Sequence, residues 1–391
     1  MIYVESPLLI SLPTCTQDLW NAIANAVALS EIPLELPQVW HYAALLSLKT
    51  LSSLTLERAK RKWVPPDNMR CLEECSQVLD HLRAKYTSEC EISKFLLSVK
   101  LAEYCQLVLV WRYNSFGHHS DTNALCMYDI TSFMSHSCAA TGVWHFGSND
   151  SYCLRARVAL RAGDEISISY LGDDDLIRST GCRREKTKGW LFECECSRCN
   201  ESLDLSRGFR CGTCSVGSVF VDAKHNFPTP CDTCASELDS ESLQKCLELE
   251  RLYAERVLVI DKSDSDDVRQ VYGESLNLFS VHHWIPHFLE TCISDHLKLS
   301  TTSESSTLVV VERIYFLARR LEFLSRTFPM LNYTSTWVLE ELADCHARQG
   351  LIREAVRGYE RSYWMMRVLC GPDHPFTEAI QSKWDILEKE V

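Results

Sequence analysis

The sequence predicts an α+β fold: small β-sheets, a long helical insert, two cysteine-rich stations and an all-α C-terminal region. Three observations predict it. Helical periodicity fills residues 18–112 and returns from about residue 240 to the end. Short β-rich runs, broken by Gly, Asn and Asp, occupy 113–171. Seven of the 20 cysteines crowd between residues 194 and 234, and their spacing is that of metal ligands.

Residues 1–12 read as a strand and its exit. The start, MIYVESPLLISLP, has no basic leader and is interrupted by Glu5, so it is not read as a signal peptide. Helices follow in QDLWNAIANAVALS, VWHYAALLSLKTLSSL and SKFLLSVKLAEYCQLVLVW, with a break at Pro65 and Pro66. YCLRARVAL and EISISYL are the clearest strand candidates, and Gly163–Asp164 is a turn before the second. In the C-terminal region Ile314, Leu317, Leu321 and Leu324 form one apolar stripe. Leu342, Ala343, Gly350, Ala355 and Tyr359 have the small/large offsets of a tetratricopeptide-like helix pair. DKSDSDD and STTSESST read as solvated loops. The domain organisation expected is 1–172 (early strand 1–12, helical insert 18–112, core 113–172), a cysteine-rich module at 173–240 and a helical domain at 241–391.

The formal net charge is −13, which argues against direct nucleic-acid binding, since that needs a dense basic surface. A basic protein segment suits the balance better. RAKRKW at 58–63 reads as one solvated helix face rather than an import signal. No apolar run approaches the ~20 residues that span a bilayer, so no membrane partner is expected.

Cys211-x-x-Cys214 and Cys231-x-x-Cys234 stand 16 residues apart. Two such knuckles close a Cys₄ tetrahedron around a structural zinc ion. His225 is a rival ligand, better read as an exposed loop histidine. LFECECSRC supplies only Cys194, Cys196 and Cys199, so this second zinc must borrow a ligand. Cys138, Cys153 and Cys182 are candidates, and spacing does not choose among them. Cysteines 15, 71, 75, 90, 105, 292, 345 and 370 are scattered and read as small buried apolar residues.

The order NSF (114–116), DITSFMSHSC (129–138), GDEISISYL (163–171) and WLFECECSRC (190–199) resembles the C-terminal half of a SET domain and its post-SET zinc site. It is closest to the SET-and-MYND (SMYD) group of protein lysine methyltransferases. The helical tail and its turn Gly371–Pro375 are also similar to that group. The resemblance implies a SET-type fold and a post-SET zinc held by Cys138 with Cys194, Cys196 and Cys199. It implies methyl transfer from S-adenosylmethionine to a lysine of a histone or non-histone protein. Tyr170 would be the catalytic residue. Asn114, Ser132, Ser135, His136, Tyr170 and Phe192 fall on cofactor-contact positions. Phe116, Trp190 and Phe192 fall on the substrate-lysine channel. A peptide or protein partner is implied for the C-terminal helices, and cytoplasm or nucleus as location. Read singly, these residues are unremarkable: Tyr170 is a strand tyrosine, the three other aromatics belong to a core, and His136 is a core histidine. Their joint order favours the functional reading.

The sequence departs from the family in three places. Ser135 replaces the asparagine of the family's N-H pair. The family's G-x-G strand would lie ahead of Met1. No cysteine/histidine septet of a MYND module follows residue 12. Two other readings therefore stand beside the methyltransferase: a non-catalytic zinc scaffold that binds protein partners, and a zinc-ribbon nucleic-acid binder, which the charge disfavours.

Overall fold

The computed structural model describes residues 2–11, 38–87, 90–118, 124–147, 150–223, 225–300 and 307–389. The helix expected over 17–30 and most of STTSESST lie outside the described residues. The chain divides into two compact units: residues 1–135 with 144–154, and residues 136–143 with 155–391.

In the first unit the expected early strand is two strands, β1 (Ile2–Glu5) and β2 (Leu9–Ser11). Five helices follow: α1 (Gln38–Thr50), α2 (Ser53–Lys60), α3 (Met69–Lys85), α4 (Glu91–Ser98) and α5 (Leu101–Asn114). Helix α2 starts where the Ser52 side chain accepts from the Thr55 N–H, which satisfies an otherwise orphaned donor. Helix α5 is the centre of this unit. Tyr104, Cys105 and every residue from Leu107 to Trp111 are buried, so this stretch of the helix is enclosed on all sides, as in a core helix. Replacing Leu107 by Ala would cost about 2–5 kcal/mol.

Strands β3 (Ser115–Gly117) and β4 (Leu125–Met127) make a sheet with β2 in the order β2-β4-β3, all antiparallel. Strand β1 belongs to a second sheet of order β1-β6-β5, with β5 (Gly142–Phe146) and β6 (Tyr152–Ala156). The proline between β1 and β2, Pro7, lies where the chain leaves one sheet for the other. Glu5 caps the loop after β4: its carboxylate accepts from the N–H groups of Ile130 and Thr131 and from the Thr131 hydroxyl. The basic run 58–63 is not a wholly solvated face. Lys62 is buried and donates to the backbone and side chain of Asp129, and Arg58 pairs with the same carboxylate.

The second unit contains α6 (Asp173–Leu176), α7 (Thr180–Thr187) and a three-stranded sheet. That sheet has the order β8-β7-β9, with β7 (Leu203–Arg210), β8 (Ser218–Asp222) and β9 (Phe279–His283). Helices α8 (Ser240–Val259) and α9 (Ser265–Ser275) lie between β8 and β9 in the chain. The acidic run expected as a loop caps α9: Asp264 accepts from the N–H groups of Asp266 and Asp267. Helices α10 (Trp284–Leu299), α11 (Thr307–Thr327), α12 (Tyr333–Arg348), α13 (Ile352–Leu369) and α14 (Pro375–Glu388) complete the unit.

Helices α12 and α13 form a tight hairpin. Gly350, at φ +73°, makes the turn. Gly358 packs so close to Ala343 that an added Cβ would sit 2.8 Å from the alanine Cβ. Ala343, Ala355 and Tyr359 are buried together. Residues 165–171, read as a strand, are extended but form no strand: Ile168 makes a single parallel bridge to His136. Extended residues become a strand only when a neighbour supplies a continuous ladder, and here the neighbour turns away after one pair.

Candidate functional site

The second unit brings two extended segments side by side. The Ser137 N–H donates to the Ile168 carbonyl at 3.0 Å and the Gly142 N–H to the Ser167 carbonyl at 2.9 Å. This pairing sets His136 opposite Ile168, and the His136 ring reaches the backbone two residues further on. The Tyr170 N–H donates to Nδ1 of His136 at 2.9 Å. A ring nitrogen that accepts carries no hydrogen, so in the neutral ring the hydrogen is on Nε2. Nε2 lies 3.4 Å from Sγ of Cys138. The imidazole thus joins the backbone of Tyr170 to the sulfur of Cys138.

Cys138 does not stand alone. Its Sγ lies 3.9 Å from that of Cys194 and 3.6 Å from that of Cys199, and with Cys196 all four sulfurs fall within 4.8 Å of one another. Four sulfurs each about 2.3 Å from one zinc ion stand about 3.8 Å apart. Cys153 and Cys182 are not in the group. Cys196 and Cys199 are folded toward each other by a short 3₁₀ turn in which the Cys199 N–H donates to the Cys196 carbonyl at 3.0 Å.

The surroundings test the fit of a thiolate-rich ion. Arg183 is only 1% exposed and, among the described residues, makes no direct ion pair with a carboxylate; its Nη2 lies 3.7 Å from Sγ of Cys199, and Asp204 adds negative charge nearby. A buried guanidinium without a carboxylate is costly unless other negative charge faces it, and a zinc ion with four thiolates carries net −2. Arg184 braces the same turn, donating to the carbonyls of Cys194 at 3.3 Å and Cys199 at 3.1 Å. The donor set and its charge fit zinc. Neither arginine was singled out from the sequence, because RR beside a cysteine run is indistinguishable from surface charge until the fold buries it.

Three aromatic side chains gather beside this cluster. The Tyr170 ring centroid lies 5.6 Å from that of Trp190, 6.1 Å from Phe192 and 5.3 Å from His136. Trp190 and Phe192 flank Leu191, a non-glycine residue at φ +62° and 58% exposed. The left-handed residue reverses the chain locally, so its two neighbours turn their rings to the same side. That conformation costs roughly 1–3 kcal/mol. No sequence signal marks it. Burial holds the Tyr170 phenol above its ordinary value of 10.0, so the hydroxyl stays protonated at neutral pH.

The remaining predicted residues lie in the first unit. Phe116 packs edge-on against Tyr128 at 5.4 Å and Tyr152 at 5.4 Å, and against Trp144 at 6.1 Å. The Asn114 amide nitrogen donates to the carbonyls of Trp63 at 2.8 Å and Val110 at 3.0 Å. The Ser132 hydroxyl donates to the Tyr128 carbonyl at 2.5 Å. Ser135 ends the unit's first segment.

The second cysteine group is a pair of matched knuckles. Cys211, Cys214, Cys231 and Cys234 bring four sulfurs within 4.8 Å, with 3.7 Å between Cys211 and Cys234 and 3.8 Å between Cys214 and Cys231. The residue after each knuckle, Ser215 at φ +60° and Ala235 at φ +58°, is left-handed. Backbone N–H groups of Gly217 and Thr233 point at the Cys214 and Cys231 sulfurs. A Cβ at Gly217 would lie 2.4 Å from the Cys231 sulfur, so glycine is required there. His225 is exposed and pairs with Asp222, apart from the sulfurs.

Comparison with known proteins places this geometry. The SET domain family matches residues 38–171. A SET and MYND domain-containing protein of Dictyostelium discoideum is 30% identical over 89 residues, which is 22% of this chain. The match covers 25% of that relative's length. His136, Cys138 and Tyr170 fall within the SET match, while Trp190, Phe192 and the three clustered cysteines that follow lie just beyond it. No helix among the described residues is long and apolar enough to cross a membrane.

Proposed function

We propose that this chain transfers a methyl group from S-adenosylmethionine to a lysine side chain of a protein substrate, as a SMYD-like enzyme. The observation that carries the reading is the His136 ring, which ties Tyr170 to a four-thiol cluster within reach of two further aromatic rings. Two zinc ions would be held, one by Cys138, Cys194, Cys196 and Cys199, the other by Cys211, Cys214, Cys231 and Cys234. Both sites have four protein ligands, which makes them structural rather than catalytic.

When bound, S-adenosylmethionine supplies the methyl group and a positive sulfonium. The chain's residues position and exclude water. The Tyr170 hydroxyl, neutral at pH 7, is a hydrogen-bonding partner and not a base. The faces of Trp190 and Phe192 attract an incoming ammonium. The same apolar walls favour its neutral form, whose ordinary pKa is ~10.4. The turn at Leu191 keeps both rings on one side, so orientation is set before substrate arrives. Resemblance assigns Asn114, Ser132, Ser135, His136, Tyr170 and Phe192 to the cofactor, and Phe116 with Trp190 and Phe192 to the lysine channel. It also assigns the α12–α13 hairpin to a TPR-like surface for a peptide or protein partner.

A specific observation supports a second reading, a non-catalytic zinc scaffold. The Asn114 amide nitrogen and the Ser132 hydroxyl donate to backbone carbonyls of their own unit, and Ser135 is shorter than asparagine. Zinc-loaded protein incubated with the donor and lysine-containing peptides, read by mass spectrometry, separates the two. Transfer by wild type, lost in Tyr170→Phe with donor binding retained, supports the enzyme. Equal transfer by Tyr170→Phe would overturn the role given to this hydroxyl.

A further inference from the structure

A third group of sulfurs lies in the helical insert of the first unit, whereas both four-thiol clusters belong to the second. Cys71 and Cys75 sit one turn apart on α3 and point to the same side, 3.8 Å between sulfurs. Cys105 on α5 completes the group, with all three sulfurs within 4.8 Å of one another. They are 8%, 0% and 1% exposed. Scattered along the sequence, they read as small apolar residues. Small apolar packing needs no common aim point, and these three share one.

The wall beside them is polar. His41 from α1 is fully buried, with Nδ1 2.7 Å from the Tyr104 hydroxyl and Nε2 2.8 Å from the Glu74 carboxylate. Glu74 precedes Cys75, and Tyr104 precedes Cys105. A hydrogen-bonded run through three helices thus fixes the backbone on both sides of the trio, as outer-shell groups fix metal ligands.

We propose that Cys71, Cys75 and Cys105 form a site for Cu(I), distinct from the zinc sites. Ligand number decides the metal. Structural zinc takes four ligands. Among the described residues no fourth Cys, His, Asp or Glu ligand atom joins this group. The neighbouring imidazole has both nitrogens engaged. Thiolates select soft ions, and Cu(I) is the soft ion that accepts three. Loading releases a proton from each sulfur that ionises.

The test uses the full chain, zinc-loaded and reduced, without oxygen. Cu(I) is supplied from a bicinchoninate-buffered solution, and copper and zinc are measured together. The expected result is one copper per chain, no loss of zinc and three sulfur neighbours by X-ray absorption. Cys105→Ala should lose the copper and keep the zinc; if it does not fold, Cys71→Ala, the least buried of the three, serves instead. No copper uptake, uptake matched by zinc release, or uptake unchanged in the variant would each overturn the site. If neither variant folds, the sulfur count in wild type decides: three supports the site, and any other number rejects it.

Discussion

The Tyr170 backbone N–H and the Cys138 sulfur lie on opposite nitrogens of one ring, His136, at 2.9 Å and 3.4 Å. The proposed active-site tyrosine is therefore held by an outer-shell partner of the proposed zinc. Losing such a partner lowers metal affinity about 10–100-fold. His136→Ala should weaken the first zinc site by that range in a chelator competition and leave the second unchanged. Equal affinity at both sites after the change would contradict the link.

Metal content should follow the sulfur geometry. Wild type should hold about two zinc ions. Cys138→Ser should cost one of them, because it removes a sulfur 3.6 Å from Cys199 and 3.9 Å from Cys194. Cys153→Ser and Cys182→Ser, outside both groups, should cost none. Elemental analysis after dialysis checks all three.

Leu191 tests the turn that directs Trp190 and Phe192. Its side chain is exposed, so packing loss is small. Asparagine tolerates the left-handed region, and β-branched valine does not. Leu191→Asn should keep stability or raise it by up to about 1 kcal/mol, whereas Leu191→Val should cost about 1–2 kcal/mol. Denaturant unfolding followed by tryptophan fluorescence reads both.

Acid should destabilise the second unit in two steps. Burial pushes His283 below its ordinary value of 6.5, and pushes His287 well below it. Below pH 6.5 the unfolded chain binds protons that the folded chain refuses, so stability falls as pH falls, by up to about 1.4 kcal/mol per pH unit for each ring. A second loss begins below pH 4.5. Burial favours the neutral Glu250 carboxyl, but His283 and Arg207 overcome it and hold the group down to about 2. That contribution is complete above pH 4.5 and disappears as pH falls toward 2. Among the described residues neither His287 ring nitrogen has a partner, and the ring stacks on Phe323 at 4.2 Å. His287→Phe should therefore raise the melting temperature at pH 5 more than at pH 7.5. An equal shift at both values would remove His287 from the account.

Much of this was legible in the sequence because local chemistry determined it. The matched knuckles follow from C-x-x-C spacing, and the helix hairpin from Ala343, Gly350 and Tyr359. The SET match was foreshadowed by three short motifs in order, at 114–116, 129–138 and 163–171. Other features depend on contacts between distant segments. Spacing left Cys138, Cys153 and Cys182 equivalent; only the folded chain singles out Cys138 as the sulfur beside those of Cys194, Cys196 and Cys199. Residues 165–171 alternate like a strand yet lack a continuous partner. Lys62 reads as surface charge until Asp129, 67 residues away, meets its buried ammonium. Cys71, Cys75 and Cys105 converge through helix packing, which no motif encodes.

Calorimetric titration of zinc-loaded protein with S-adenosylmethionine tests the central claim most directly. The account predicts saturable heat at a stoichiometry of one, almost intact in Tyr170→Phe and reduced in Cys138→Ser. No heat at millimolar donor would contradict it and leave the zinc scaffold as the reading of this chain.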